Sequence, residues 1–284
     1  MSENASFSGI FLPPSDVQHP RYTLLGVPWD AASSFRPGAR LAPPRIRAMA
    51  ESLSAASERG HDLRGLAAVD AGDLHLPTHV EKAEASIAQA VAAVVAGGAV
   101  PIVLGGDHAI SVPSFAAVLE QHPGLELLVL DAHPDLYATY RGDPFSHATV
   151  SHRIAQLGGM AGSRITQVGV RASNPAQRAA AETLGVRTIG AWEIDGWHLR
   201  ARGPLYLSVD IDVLDPAAAP GCGNPVPGGL TSRQLLDLIH TLDAEIVAVD
   251  LVEVNPLLDP LGITALAAAR AITEILAVLA GIEG

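Results

Sequence analysis

Short runs rich in Val, Leu and Ile recur along this chain and constrain its fold more than any other feature: YTLLGV, VPIVLGG, LELLVLDAH, RITQVGVR, PLYLSVDID and EIVAVDLVEV. Most are apolar at consecutive positions, the pattern of strands covered on both faces. Helical patterns separate them. Lys82 to Ala96 repeats apolar residues at helical spacing and stops at Gly97-Gly98, a C-terminal signal. Thr231 and Gln234 stand in capping-box spacing ahead of Leu235, Leu238, Ile239 and Leu242 on one face. Strand and helix alternate over the whole length without a Ser-rich or charged linker, an internal repeat or a low-complexity tract. The expectation is one α/β domain over residues 1–284, built on a mainly parallel sheet.

A core of that size needs no disulfide staples. The single cysteine, Cys222, lies in a Pro/Gly-rich loop and reads as a packed, idle thiol in a reducing cytosol. The net charge of −12 is spread along the chain, which argues against nucleic acid and anionic membranes as partners and is compatible with a small cationic substrate. The N-terminal MSENASFSG shows no basic segment followed by an apolar core, so no secretory signal and a cytoplasmic location are expected. The apolar stretch Ala265 to Ile282 is broken by Arg270, Thr273 and Glu274, poor material for a membrane span.

Four of the apolar runs end in groups that bind metals or cations: Asp107-His108; Asp131, His133 and Asp135; Asp210 and Asp212; Asp250 and Glu253. In an extended segment, residues two apart point to one side, so Asp131, His133 and Asp135 are expected to share a face. Parallel strands deliver their C-terminal ends to one edge, where ligands of open α/β sheets bind, so the four groups are expected to converge. Any one Asp there reads equally well as a helix N-cap. Capping does not explain two histidines beside the acids, and so many carboxylates at apolar strand ends call for a cation. The set exceeds what one divalent ion takes but suits two bridged by carboxylates. Oxygen donors dominate and thiolates are absent, so manganese is the first choice, with iron, cobalt, nickel and zinc compatible. Such an ion pair holds water as hydroxide near neutral pH, which points to hydrolysis.

GGDHAI, DAHPDLY, SHAT, SVDIDVLDPAAAPG, PGGLT and DLVEVNP, in that order, resemble the signatures of the ureohydrolases, the arginase and agmatinase family. GVPWDAASSFRPGARLAPPRIR at 26–47 is similar to the family's N-terminal motif, so the resemblance spans nearly the whole chain. It implies a three-layer α/β/α sandwich, a dimanganese centre, and hydrolysis of a guanidino group to urea and an amine. The implied ligands are His108, Asp131, Asp135 and Asp210 on one ion and His133, Asp131, Asp210 and Asp212 on the other. Asp135 is implied as a proton carrier, Glu253 as the acid that pairs with the guanidinium in bidentate fashion, and His147 as the proton shuttle. Asp107 is expected to orient a ligand. Trimers or hexamers of identical chains are implied by the resemblance alone.

Tyr137 stands where animal arginases carry Asn, and Asn174 where they carry an acceptor Asp; both are expected at the substrate's far end. Tyr137 is shared with agmatinases, and the wider pattern also resembles plant arginases. Agmatine is therefore ranked first, ahead of arginine, another guanidino acid, or guanidine. Arg36, Pro37 and Gly38 read as turn residues, and His19, His61 and His240 as surface histidines. Rival classes are a haloacid-dehalogenase-type phosphohydrolase, suggested by SVDIDV; a binuclear phosphoesterase; and a metal-binding regulator without catalysis.

Overall fold

The computed structural model describes residues 6–282. The first five residues of MSENASFSG and the last two of the expected 1–284 domain lie outside the described part. Eight strands form one sheet: β1 Tyr22–Gly26, β2 Ala68–Asp73, β3 Val100–Leu104, β4 Glu126–Leu130, β5 Ile165–Val170, β6 Arg187–Gly190, β7 Arg200–Asp210 and β8 Asp243–Val252. Their order is β2-β1-β3-β8-β7-β4-β5-β6, and every pairing between them is parallel. The mainly parallel sheet read from the sequence is thus wholly parallel among the described strands.

The helices are α1 Ala42–Ala50, α2 Val80–Ala96, α3 Ser111–Gln121, α4 Val150–Ala155, α5 Pro175–Leu184, α6 Ser232–His240 and α7 Ile263–Leu279. They cover both faces. On β4, Leu128 and Leu130 join a core with Ile46 of α1, Leu235 of α6 and Ile272 of α7. Leu127 and Val129 of the same strand join a second core with Ile87 of α2, Phe115 of α3 and Ile154 of α4. Alternate side chains of a pleated strand leave on opposite faces, so consecutive apolar residues feed two cores. The result is the three-layer α/β/α sandwich.

Local signals act as the sequence suggested. Helix α2 ends at Gly97, and Thr231 caps α6 in a reciprocal box with Gln234. The segment from Ala265 is no membrane span: α7 packs into the core, its buried Glu274 lies 2.6 Å from Arg270, and no helix among the described residues is long and apolar enough to cross a membrane. His19 and His61 are exposed, but the surface reading of His240 is corrected. Its side chain is 6% exposed, with Nε2 3.1 Å from Glu274 Oε2 between α6 and α7.

Candidate metal centre and its cavity

Strands β3, β8, β7 and β4 are consecutive in the sheet, and they are the four whose C-terminal ends carry the acids and histidines. Topology therefore gathers residues more than a hundred positions apart. His108 Nδ1 lies 3.2 Å from Asp131 Oδ2, 3.2 Å from Asp135 Oδ2 and 3.4 Å from Asp210 Oδ2. His133 Nδ1 lies 2.9 Å from Asp212 Oδ2 and 3.4 Å from Asp131 Oδ1. Two clusters, His108/Asp131/Asp135 and Asp131/His133/Asp212, thus share Asp131, one oxygen facing each imidazole.

The donor set fits divalent cations. His108 Nδ1 and Asp131 Oδ2 are buried, and neither has a hydrogen-bond partner although they face each other. Atoms left in that state cost free energy unless a positive ion takes up their lone pairs. The electrostatics agree. Burial pushes the His108 imidazole down, but the three carboxylates around it hold its pKa well above the usual value. His133 is likewise held up at about 12, by Asp212 and Asp131, against the pull of burial. Burial and the neighbouring Asp212 and Asp131 charges push Asp210 well up. The acids crowd one another and lack positive charge.

The backbone route differs from the expected pleat. Strand β4 stops at Leu130, and Asp131 to Asp135 run through an irregular loop in which Asp135 has φ 47°. The two-residue spacing therefore does not arise from an extended strand; a left-handed Asp135 turns its carboxylate back toward His108. Glu253, just past β8, also sits at positive φ, 66°. Gly106 ties the loop after β1 to the segment after β8. Its N–H donates to Val27 O and its carbonyl accepts Glu253 N–H at 2.8 Å, and a Cβ there would lie 1.6 Å from Trp29 O, so only glycine allows that approach.

Asp107 does not orient an imidazole, a correction to its expected role. It caps the short 3-10 turn His108–Ile110 and accepts the Ala32 N–H at 2.8 Å, anchoring the loop after β1. The imidazole is oriented through Ser208 and Tyr206, which carried no expectation, and Asp250, one of the acids noted at the strand ends. His108 Nε2 meets Ser208 Oγ at 3.1 Å, Ser208 donates to Asp250 Oδ1 at 2.6 Å, and Tyr206 donates to Asp250 Oδ2 at 2.7 Å. Tyr206, Ser208 and Asp210 stand two apart on β7; polar groups at alternate positions of an apolar run were the available signal.

Beside the clusters, His147 Nδ1 lies 2.8 Å from Glu253 Oε1, which also accepts the His108 N–H at 2.9 Å. On the other side of the ring, Nε2 accepts the Ser34 N–H at 3.1 Å and lies 2.8 Å from Ser34 Oγ. These partners assign the neutral ring its Nδ1 proton. Glu253, Asp135 and Asp107 hold the imidazole at about 9 against burial, so the charged form is accessible too, with Ser34 Oγ as acceptor.

A cavity of about 500 Å³ opens over this floor, lined among others by His133, Asp135, Tyr137, Tyr140, Arg36, Arg141, His147 and Glu253. Of the six described non-glycine residues at positive φ, four line it: Arg36, Asp135, Arg141 and Glu253. Such conformations cost about 1–3 kcal/mol each and collect at functional sites. Asn174 is absent from the lining. Its Oδ1 caps α5 through Gln177 N–H and its Nδ2 donates to the Tyr137 hydroxyl at 2.6 Å, which corrects its expected direct contact with substrate. Gly38 is a helix-entry residue, the N-cap of the 3-10 turn Ala39–Leu41 at φ 148°, whereas Arg36 reaches the cavity. Cys222 is buried, its thiol pushed up by burial and nearby acids, as an idle cysteine would be.

The family model described as Arginase family matches residues 20–278. The chain belongs to the arginase family. Arginase 1, mitochondrial, of Arabidopsis thaliana is 38% identical over 276 residues, 90% of this chain and 80% of that protein. The agmatinase of Bacillus anthracis is 34% identical over 263 residues, 89% and 90% of the two chains. The solved structure of proclavaminate amidinohydrolase from Streptomyces clavuligerus superposes with TM-score 0.86 at 32% identity, covering 98% of each chain. Arginase-family proteins are metal-dependent amidinohydrolases, so this chain is a hydrolase of that type, and the phosphohydrolase readings fall away.

Proposed function

We propose that this arginase-family chain acts as one domain that hydrolyses the guanidino group of a small molecule to urea and an amine, with two manganese ions. The observation that carries it is the pair of clusters sharing Asp131, set beside the His147–Glu253 pair. His108, Asp131, Asp135 and Asp210 would hold one ion, and His133, Asp131, Asp210 and Asp212 the other. Bound there, divalent ions lower the pKa of water enough to supply a nucleophile near neutral pH.

The chain's own groups supply the rest. Asp135, at the cavity wall, takes up a proton from the attacking water. Glu253 Oε1 is already engaged by His108 N–H and His147 Nδ1, so a guanidinium meets chiefly Oε2, a narrower contact than the bidentate fork expected from the sequence. That carboxylate holds the planar group over the floor. His147, buried and provided with a partner in either protonation state, carries a proton to the leaving amine. Water and guanidinium thus yield urea and a protonated amine.

Tyr137 alone ranks agmatine first. Manganese-loaded protein should release urea from at least one member of a guanidino panel and no phosphate from nitrophenyl phosphate. The reverse pattern would overturn the proposal.

A further inference from the structure

The floor and the rim of the cavity differ in charge. In the same lining Asp135, Asp210, Asp212 and Glu253 are buried and form the floor, whereas Arg36 and Arg141 are exposed and form the mouth. Neither guanidinium has an acidic partner among the described residues. Arg36 lies 4.3 Å over the Phe35 ring, and Arg141 lies 5.4 Å over the Tyr140 ring with Nη1 3.4 Å from the Ser34 carbonyl. A chain of net charge −12 has carboxylates in excess, but Asp143, two residues after Arg141, accepts the Phe145 N–H at 2.8 Å instead.

Local backbone conformation is unusual at both arginines, as it is at Asp135 and Glu253. Tyr140 and Asp143 exchange backbone hydrogen bonds at 2.9 and 3.0 Å around Arg141 and Gly142, whose φ angles are 53° and 85°. A two-residue turn with both central φ positive favours Asn or Gly first; arginine is a strained choice. Arg36 sits at φ 49°, its carbonyl held by Asn255 Nδ2 at 2.8 Å. Of the four non-glycine residues at positive φ in this lining, two are the acids Asp135 and Glu253 and two are these arginines, and left-handed residues of that kind collect at functional sites.

A third group has the same polarity. Asn174 Oδ1 is committed to Gln177 N–H, so its Nδ2 donates to the Tyr137 hydroxyl oxygen. The hydroxyl hydrogen is then left to be donated elsewhere, and Tyr137 lines the cavity. The rim therefore presents two guanidiniums and a hydroxyl donor.

We infer that Arg36 and Arg141, with the Tyr137 hydroxyl, receive a carboxylate at the far end of the substrate, which is then an ω-guanidino carboxylic acid. This rests on the amidinohydrolase reading above and names the substrate class for the same site. A guanidinium's planar fork matches a carboxylate, and an acidic floor under a basic rim orients a molecule that is cationic at one end and anionic at the other. Agmatine would place an ammonium beside two arginines. The α-ammonium of arginine would find no acid in the described lining outside the floor.

The test compares kcat/KM of the manganese-loaded enzyme for 4-guanidinobutyrate, 3-guanidinopropionate, agmatine and arginine. A guanidino acid should exceed both agmatine and arginine by at least about tenfold, the scale of one lost charge contact. Arg141→Glu should shrink that ratio about tenfold or more, chiefly through KM, while Arg141→Lys retains part of it. A preference for agmatine or arginine overturns the inference while leaving amidinohydrolysis intact, and so does a ratio that Arg141→Glu does not move. Urea from no member of the panel overturns the amidinohydrolase reading itself. If Arg141→Glu fails to fold, the wild-type ratio still decides.

Discussion

The floor and the rim of the cavity were built by different means. The floor is fixed by four neighbouring parallel strands whose ends hold acids and imidazoles in place with buried hydrogen bonds, as in the chain from His108 through Ser208 to Asp250. The rim is made of loops, Ser34 to Arg36 and Tyr137 to Arg141, held by turn geometry and a few bonds such as Asn255 to Arg36. A rigid floor fixes the chemistry, and an adaptable rim chooses among molecules that share a guanidino group. Changes to the floor should therefore damage turnover and metal binding for every substrate, and changes to the rim should redistribute preference.

Asp131 offers the sharpest way to break that contrast. Its two oxygens face different imidazoles, so Asp131→Ala should abolish urea release and lower bound metal at both clusters, read by metal analysis of the purified protein. An active variant would mean that the shared carboxylate is dispensable. His147→Asn comes next: a lost proton carrier costs about 10² to 10⁴ in kcat, with metal content unchanged.

Ser208→Ala tests whether the bonds beneath the floor matter. Metal-bound imidazoles rely on the partner of their other nitrogen, so affinity for the ion at His108 should fall about 10- to 100-fold, measured by calorimetric titration. Unlike the rim variants, it should weaken all substrates alike. The same titration should depend on pH. Burial opposes charge on His108 and His133, but the acids around them win and hold both pKa values up, His133 at about 12. Incoming ions displace those protons, so apparent affinity should rise between about pH 6 and about pH 8. A flat profile would show that the imidazoles are already neutral. The smallest effect belongs to the rim: Tyr137→Phe removes one hydroxyl donor, about 1 kcal/mol, or about fivefold in KM.

The same contrast explains what could be read from the sequence. The acids and histidines of the floor follow apolar strand runs, so a parallel sheet brings them together once its strands are recognised. Their local route was legible only in part: Pro134 argues against a central strand running on through it, but does not fix the end of β4 at Leu130 or the left-handed conformation of Asp135. Ser208 was within reach, two residues before Asp210 and two after Tyr206 in a strand otherwise apolar. Asn174 could also have been placed, since Asn ahead of Pro175 with Gln177 three residues on is a helix start, and α5 uses it as one. Arg36, Arg141 and Tyr140 carry no periodic signal. Loops that meet only in the folded chain place them at one mouth, and positive φ at Arg36 and Arg141 is a property of conformation rather than of residue type.

The most direct test of the two-cluster floor is to count bound manganese per chain while following urea release from the preferred guanidino substrate, for wild-type protein and for His133→Ala. Two ions per wild-type chain with full activity are expected, and in His133→Ala an emptied or weakened second site with most activity gone. A His133→Ala chain that holds two ions and turns over at the wild-type rate would contradict the two-cluster floor.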